Sequence, residues 1–223
     1  MSAQWLVRDS AGDAGEFHLA DAQPIRSATF HAVSVATLVL GSAQRDADVN
    51  DRVARALGIA IVKRRSGGGA VLLVPGEFVW LDLVIPASDA LWVDDIGQSM
   101  MWVGQLWQRA LAELGVMGDV NTATGGDVHW AKQVCFAGIG SGEVVAAQAG
   151  IARKVVGISQ RRTRAALRFQ SMCHLHWRPE LVAALVAPPR PRATDLAARV
   201  APVAASADAV RNALVRHLPS DTG

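Results

Sequence analysis

Cysteine is scarce and long apolar runs are missing in this sequence, and each shortage excludes a class of protein. With only Cys135 and Cys173 among 223 residues, a disulfide framework is excluded, so we expect a reduced, cytoplasmic compartment. The first ten residues lack the basic segment, apolar core and cleavage site of a secretory signal. The absence of long apolar runs excludes a membrane span. The net charge of +2 excludes a whole-molecule polycation.

Hydrophobic residues make up 51% of the chain and charged residues 19%, which is the composition of one globular domain. Glycine and proline divide it into short apolar runs that predict strands on both sides of one long helix at 94–114. We therefore expect a mixed α/β (α+β) fold with a largely antiparallel sheet flanked by helices. Strands are predicted at 33–40, 59–62, 70–74, 78–85, 134–140, 143–147, 154–159 and 166–175, the runs at 59–85 as consecutive antiparallel strands. Further helices are predicted at 46–57, 179–186 and 204–218.

A basic, glycine-rich segment lies between two of these predicted strands. Its sequence is Lys63-Arg64-Arg65-Ser66-Gly67-Gly68-Gly69-Ala70-Val71. Glycines let backbone N–H groups approach a ligand, and guanidinium groups bind phosphate, so the segment predicts an anion-binding loop. It is not a Walker loop, since no Gly-Lys-Ser/Thr follows, and not a dinucleotide fingerprint, since it leads into a strand. The alternative is a flexible hairpin connection with a solvated basic flank.

A second basic feature lies between Glu143 and Glu180, an interval without any carboxylate. Its seven cations are Arg153, Lys154, Arg161, Arg162, Arg164, Arg168 and Arg178. They predict a local positive field that suits nucleotide phosphates or an acidic partner, and the alternative is a strand edge protected by charge. Lys154 begins a predicted strand and lies near Gly157, where its amine can face a bound ligand.

The glycine-rich segment and the Arg-Lys-Val-Val-Gly-Ile-Ser-Gln segment that contains Lys154 follow about ninety residues apart. In order and spacing they resemble the two signature motifs of the lipoate–protein ligase A family, within the biotin/lipoate protein ligase superfamily. The resemblance runs from Gly41-Ser42-Ala43-Gln44 to about Leu185. It implies a catalytic domain at 1–187, like those of class II tRNA synthetases and biotin ligases. Residues 188–223, a proline-rich linker and a helix, would belong to the same unit.

For the site, the resemblance implies an acyl chain and its adenylate beneath the glycine-rich segment. Arg64 would contact the nucleotide, and Lys154 would be the essential lysine at the reacting carboxyl and phosphate. A fixed ammonium there stabilises the negative charge of the transition state. The residues that would bind ATP or the acyl-adenylate are Arg64, Ser66, Gly67, Gly68, Gly69, Ala70, Val71, Gly157 and Ser159.

The substrates implied are lipoate or octanoate with ATP and Mg²⁺, and no protein side chain is assigned to a metal. The acceptor would be a lysine of an acidic lipoyl domain or of a glycine-cleavage H-type protein. Three departures from the family concern the nucleotide contacts. The first arginine of the pair is Lys63, the histidine after the glycine run is absent at 72–74, and Gln170-Ser171-Met172 replaces His-Gly-Thr. Because the chain ends at Gly223 without an accessory domain, activation by ATP is expected to need a separate accessory subunit, or not to occur.

Cys135 offers an alternative without ATP. Some relatives transfer octanoyl groups from acyl-carrier protein through a cysteine thioester, and Cys135 resembles their cysteine in lying upstream of the motif lysine. Cationic surroundings near Lys154 would favour the thiolate, whereas a structural cysteine would be buried, as we expect for Cys173. The remaining alternatives are a non-catalytic homologue that binds an acyl group or adenylate, and a nucleic-acid-binding module. For the enzyme, neither nucleic acid nor membrane is expected as a partner.

Overall fold

The computed structural model describes residues 4–123, 129–148 and 150–220. The strands in these ranges are β1 (Leu6–Gly12), β2 (Ser27–Val33), β3 (Thr37–Leu40), β4 (Ala60–Lys63), β5 (Val71–Leu73), β6 (Phe78–Pro86), β7 (Asp119–Val120), β8 (Val144–Gln148), β9 (Ile151–Arg162) and β10 (Ala166–His174). The α-helices are α1 (Ala14–Leu19), α2 (Asp51–Ala56), α3 (Ile96–Glu113), α4 (Pro179–Leu185), α5 (Ala193–Ala197) and α6 (Ala207–Arg216). Short 3-10 turns occupy Asp46–Asp48 and Cys135–Ala137. None of these helices combines the length and the apolar character needed to cross a lipid bilayer.

The strands form two sheets. The larger sheet has seven strands in the order β1-β2-β6-β10-β9-β8-β7, in which β1 and β2 are parallel and the other pairs are antiparallel. The smaller sheet has the order β4-β3-β5, with β3 parallel to β4 and antiparallel to β5. This arrangement confirms the predicted mixed, largely antiparallel α/β fold.

Helix α3 covers one face of the larger sheet, and α6 packs beside it. Asp95 caps α3 by accepting a hydrogen bond from the Gln98 backbone N–H at 2.7 Å. The long helix predicted at 94–114 is thus confirmed, and its Val103 and Trp107 are fully buried. Trp107 Nε1 donates to Ser171 Oγ on β10 at 2.9 Å, so the indole is buried with its polar atom satisfied.

The opposite face of the larger sheet packs on the smaller sheet. Trp80 of β6 and Met172 of β10 form a cluster there with Val39 of β3 and Leu73 of β5. Side chains alternate between the two faces of a strand, so the residues next to Trp80 and Met172 face α3 instead. The space between the two sheets is where the candidate site lies.

Three predictions about the strands differ from the structure. The run at 33–40 is divided, because β2 ends at Val33 and β3 begins at Thr37 in the other sheet. The strands β4 and β5 are not hydrogen-bonded to each other, because β3 lies between them and β6 belongs to the larger sheet. The run at 134–140 forms the Cys135–Ala137 turn, with an isolated β-bridge between Val134 and Ala70. Apolar runs predict burial, but the choice of hydrogen-bonding neighbour depends on tertiary contacts.

A buried ion pair lies in the middle of the larger sheet. Arg168 of β10 donates through Nε to Asp82 Oδ2 of β6 at 2.9 Å, and Trp80 Nε1 donates to Asp82 Oδ1 at 2.7 Å. His31 Nε2 lies 3.2 Å from Asp82 Oδ2. Burial raises the pKa of Asp82, but the hydrogen bond with His31 and the charge of Arg168 outweigh it and lower the pKa. Asp82 is therefore ionised in the folded protein at neutral pH.

Arg168 also fixes α1. Its guanidinium donates to the carbonyl oxygens of Phe17 at 2.6 Å and Ala20 at 2.8 Å. These carbonyls lie at the C-terminal end of the helix, where backbone acceptors lack helical partners. The pair between Asp82 and Arg168 therefore attaches α1 to the larger sheet.

We expect the substitution Arg168→Leu to lower the free energy of unfolding by about 3 kcal/mol, because it leaves Asp82 buried without its cation. Urea denaturation at pH 7 measures this. The matched control is Arg216→Leu, which removes the exposed partner of Glu113 and should change stability far less. Equal effects of the two substitutions would contradict the role assigned to the buried pair.

Candidate active site

A narrow slot opens between the two sheets. Its walls are mostly apolar and include Val39, Val71, Leu73, Trp80, Phe136 and Met172. Polar groups reach it from four segments, through His18, Arg64, Ser159 and Gln170. A narrow apolar slot with a few polar groups suits a ligand that has an apolar chain and a polar end.

Arg64 organises the glycine loop, which we define as residues 66–69. Its buried guanidinium donates to the carbonyl oxygens of Gly67 at 2.8 Å and Gly69 at 2.9 Å. Arg64 thus contacts the loop itself and also lines the slot, while its contact with a nucleotide stays a prediction. Within the described residues, nothing accepts a hydrogen bond from the exposed backbone N–H groups of Gly67 and Gly68. These two groups are available to an anion.

The glycine loop and the adjoining Ala70 contact two segments that lie far away in the sequence, β9 and residues 133–135. Ser66 Oγ lies 3.3 Å from Ser159 Oγ on β9. Ala70 N–H donates to Gln133 O at 2.8 Å, and Cys135 N–H donates to Ala70 O at 3.0 Å. The approach is so close that a Cβ on Gly69 would lie 2.6 Å from the Val134 nitrogen. The two motifs singled out in the sequence thus converge on one slot.

Lys154 is buried in an ion pair that the sequence did not reveal. Its Nζ lies 2.7 Å from Glu143 Oε2 and 2.9 Å from Glu143 Oε1, with side-chain exposures of 3% and 6% for the two residues. Nζ also donates to the carbonyl oxygen of Cys135 at 2.9 Å and lies 5.2 Å from the centre of the Phe136 ring. Lys154 itself does not line the slot, but Cys135, Phe136 and the neighbouring Gly157 do.

The two cysteines differ in accessibility. Cys135 is half-buried in the 3-10 turn and lines the slot, whereas sequence analysis expected it on a strand. Cys173 is fully buried, and burial raises the pKa of its thiol to about 12. Cys173 is therefore a core residue, as expected, and Cys135 is the thiol that a ligand in the slot can meet.

His18 and Gln170 form a polar pair beside Trp80 that sequence analysis missed. His18 Nδ1 lies 3.3 Å from Gln170 Oε1, and the imidazole stacks on the Trp80 ring at 4.6 Å. Burial lowers the pKa of His18 to about 4, so the ring is neutral at pH 7. Gln170 Nε2 is buried without a partner in the described part of the chain. The replacement of His-Gly-Thr at Gln170 was the one sequence signal that pointed here.

The positive field expected between Glu143 and Glu180 is largely neutralised by folding. Five of its seven cations pair with carboxylates: Lys154 with Glu143, Arg161 with Asp21, Arg162 with Asp94, Arg168 with Asp82 and Arg178 with Glu77. Four of these carboxylates come from segments far away in the sequence, which is why the interval looked uncompensated. Within residues 4–123, 129–148 and 150–220, no group of three or more His, Cys, Asp or Glu residues could hold a metal ion.

A family model described as the lipoyl protein ligase A/B catalytic domain matches residues 17–218. The matched region includes the end of α1, the glycine loop, the Cys135–Ala137 turn and Lys154. No curated protein sequence is significantly similar to the chain.

Solved structures of lipoate ligases share the fold. The chain is similar to the bipartite lipoate protein ligase of Thermoplasma acidophilum, described with its E2 lipoyl domain, at a TM-score of 0.72 and 18% identity over 94% of this chain and 80% of that one. It is similar to a lipoate-protein ligase A bound with ATP, at a TM-score of 0.72 and 19% identity over 97% and 84%. It is also similar to LipL1 of P. falciparum in complex with lipoate, at a TM-score of 0.65 and 10% identity over 96% and 61%.

We expect Gly69→Ala to disrupt the slot, because the new methyl group would collide with the Val134 and Cys135 nitrogens at 2.6 and 2.7 Å. The matched control is Gly67→Ala, since a Cβ at Gly67 meets no atom within 4 Å. Thermal unfolding of both variants should show a lower midpoint for Gly69→Ala and little change for Gly67→Ala. A tolerated Gly69→Ala substitution would contradict the close approach of the loop to the turn.

We expect stability to fall as the pH decreases from 6.5 to 5. Burial lowers the pKa of His18 to about 4 and that of His174 to about 3. Below pH 6.5 these histidines therefore become protonated in the unfolded chain but stay neutral in the folded chain. Each histidine then contributes a slope approaching about 1.4 kcal/mol per pH unit. Urea denaturation across this range measures the slope. His174→Phe should reduce it, and an unchanged slope would contradict a buried, neutral His174.

Proposed function

Because the chain belongs to the family of lipoyl protein ligase A/B catalytic domains, we propose that it attaches a short acyl group to a lysine of a lipoyl domain. Membership confirms the family expected from the two motifs and makes the chain an enzyme of the ligase or transferase type. The proposed acyl group is lipoate or octanoate. ATP with Mg²⁺ would activate it as an acyl-adenylate.

The observation that supports this proposal most is the slot itself. Lipoate and octanoate are short apolar chains that end in a carboxylate, and the slot offers apolar walls together with the Arg64 guanidinium and the Ser159 hydroxyl. Such a site buries the chain and leaves the carboxylate near groups that favour negative charge. The fold shared with a ligase bound to ATP and with LipL1 bound to lipoate agrees with both substrates.

In the proposed reaction, the protein stabilises negative charge as it develops on the acyl carboxyl and phosphate. Lys154 would supply a fixed ammonium, and the N–H groups of Gly67 and Gly68 would supply oriented dipoles. Arg64 would act indirectly by holding the glycine loop through its carbonyl oxygens. Ser66, Ala70, Val71, Gly157 and Ser159 would line the bound acyl-adenylate.

The proposed acceptor is a lysine on an acidic lipoyl domain or an H-type carrier protein. A similar ligase is described together with its E2 lipoyl domain, which supports this class of acceptor.

A second candidate function rests on the position of Cys135. Its thiol lines the slot, whereas Lys154 is held behind the same turn. The thiolate would attack the thioester carbonyl of octanoyl-acyl-carrier protein, forming a Cys135 thioester and releasing the carrier thiol. The amine of the acceptor lysine would then take the octanoyl group and restore the cysteine thiol.

The test supplies purified protein with lipoate, ATP, Mg²⁺ and a lipoyl domain, and follows adenylate formation and acceptor mass. We expect acylation that Lys154→Met reduces by about 100-fold or more, comparable to the loss of one oxyanion donor. The control Lys132→Met removes an exposed lysine outside the slot and should leave the rate unchanged. Acylation insensitive to Lys154→Met would overturn the role of the ammonium.

A parallel reaction with octanoyl-acyl-carrier protein distinguishes the second candidate. Mass spectrometry would detect an octanoyl adduct that Cys135→Ala abolishes and Cys173→Ala preserves. An adduct on Cys135 without adenylate formation would establish the transferase and remove the ligase. Binding of lipoate without acceptor modification in either reaction would indicate a non-catalytic homologue.

A further inference from the structure

Lys154 is buried. Burial penalises the charged form of an amine, so a buried ammonium needs an opposite charge beside it to keep its proton. The proposed function needs that charge in place before the acyl group arrives. Glu143 is the one carboxylate within 4 Å of the ammonium in the described part of the chain. Glu143, just before β8, therefore matters for the proposed function as well as for the fold.

Glu143 is held independently of Lys154. Its Oε2 accepts a hydrogen bond from the Gly140 backbone N–H at 2.6 Å, and its Oε1 accepts one from the Ile158 N–H at 3.2 Å. Hydrogen bonds to a carboxylate stabilise its ionised form. The Glu143 carboxylate is thus held in place by two backbone donors as well as by Lys154.

The ammonium of Lys154 is aimed at the wall of the slot. An ammonium has three N–H donors. Glu143 and the carbonyl oxygen of Cys135 accept from it, and Phe136 packs against it. Both Cys135 and Phe136 line the slot, whereas Lys154 does not. The contacts of Glu143 therefore hold the charge next to two residues that an acyl carboxylate in the slot would meet.

We propose that Glu143 is a positioning residue, which keeps Lys154 charged in the empty site and directs its ammonium to the Cys135–Phe136 wall of the slot. This inference rests on the proposed function, since it explains how the ammonium is ready for an anionic acyl group. The other titratable or charged residues around Lys154 are the Cys135 thiol, His174 beyond Phe136, and Arg199, whose backbone oxygen accepts from the Lys154 N–H.

The test measures octanoate binding by isothermal titration calorimetry between pH 7 and 9, in buffers of different ionisation enthalpy. In the wild type we expect no proton uptake and an affinity that changes little with pH. In Glu143→Gln the unpaired amine becomes neutral, so binding of the carboxylate should take up nearly one proton. Its affinity should then fall about tenfold per pH unit.

Two further variants separate positioning from a general structural effect. Glu143→Asp retains the charge and should bind octanoate without proton uptake. It also keeps the proposal testable if Glu143→Gln does not fold. Glu113→Gln removes a carboxylate that pairs with Arg216 on the surface, and it should behave as the wild type. Binding by Glu143→Gln without proton uptake, or proton uptake by Glu143→Asp equal to that of Glu143→Gln, would overturn the proposal.

A measurement without ligand keeps this inference distinct from the proposed function. The chain has three lysines, Lys63, Lys132 and Lys154, so acetylation by a pulse of acetic anhydride can be assigned peptide by peptide. We expect faster labelling of Lys154 in Glu143→Gln than in the wild type, relative to the exposed Lys63. Equal labelling would reject the role of Glu143 even if octanoate binds. No octanoate or lipoate binding by the wild type would reject the proposed function, and with it the inference that rests on it.

Discussion

The Cys135–Ala137 turn is the constraint on which the site depends, because it is bonded on both sides. The backbone of Cys135 donates to Ala70, at the end of the glycine loop, while its carbonyl oxygen accepts from Lys154 on β9. Two segments that are far apart in the sequence are thereby fixed to one short turn. A displacement of this turn would move the loop, the ammonium and the slot wall together, so the slot depends on backbone contacts as much as on side chains.

Three buried cations share this region, and each has a different acceptor. Arg64 binds carbonyl oxygens of the glycine loop, Lys154 binds a carboxylate and a carbonyl, and Arg168 binds Asp82 and the end of α1. Burial of a charge is costly unless hydrogen bonds and an opposite charge replace water. These replacements also fix the geometry of the segments that supply the acceptors. The electrostatic groups therefore act as the framework of the slot, and its apolar walls supply the space for a ligand.

Much of the fold was predictable, because it depends on local patterns. The helix that begins after Asp95 and the strands that became β6, β9 and β10 have strong apolar runs with clear ends. The strands β3, β4 and β5 were only partly predictable, since an apolar run indicates that a strand is buried but not which strand it pairs with. The segment around Cys135 was predicted as a strand for the same reason, although it forms a 3-10 turn next to a single bridge between Val134 and Ala70.

The sequence by itself determined the family resemblance and predicted an anion-binding glycine loop and an essential Lys154, because these depend on residue types in a fixed order. Only the tertiary structure decided which charges remain free. Asp82, Glu77, Asp94 and Asp21 neutralise arginines that had no nearby carboxylate in the sequence. Glu143, eleven residues before Lys154, lies beside it because β8 pairs antiparallel with β9. Electrostatic pairing depends on distance in space, and a linear order of residues does not contain that distance.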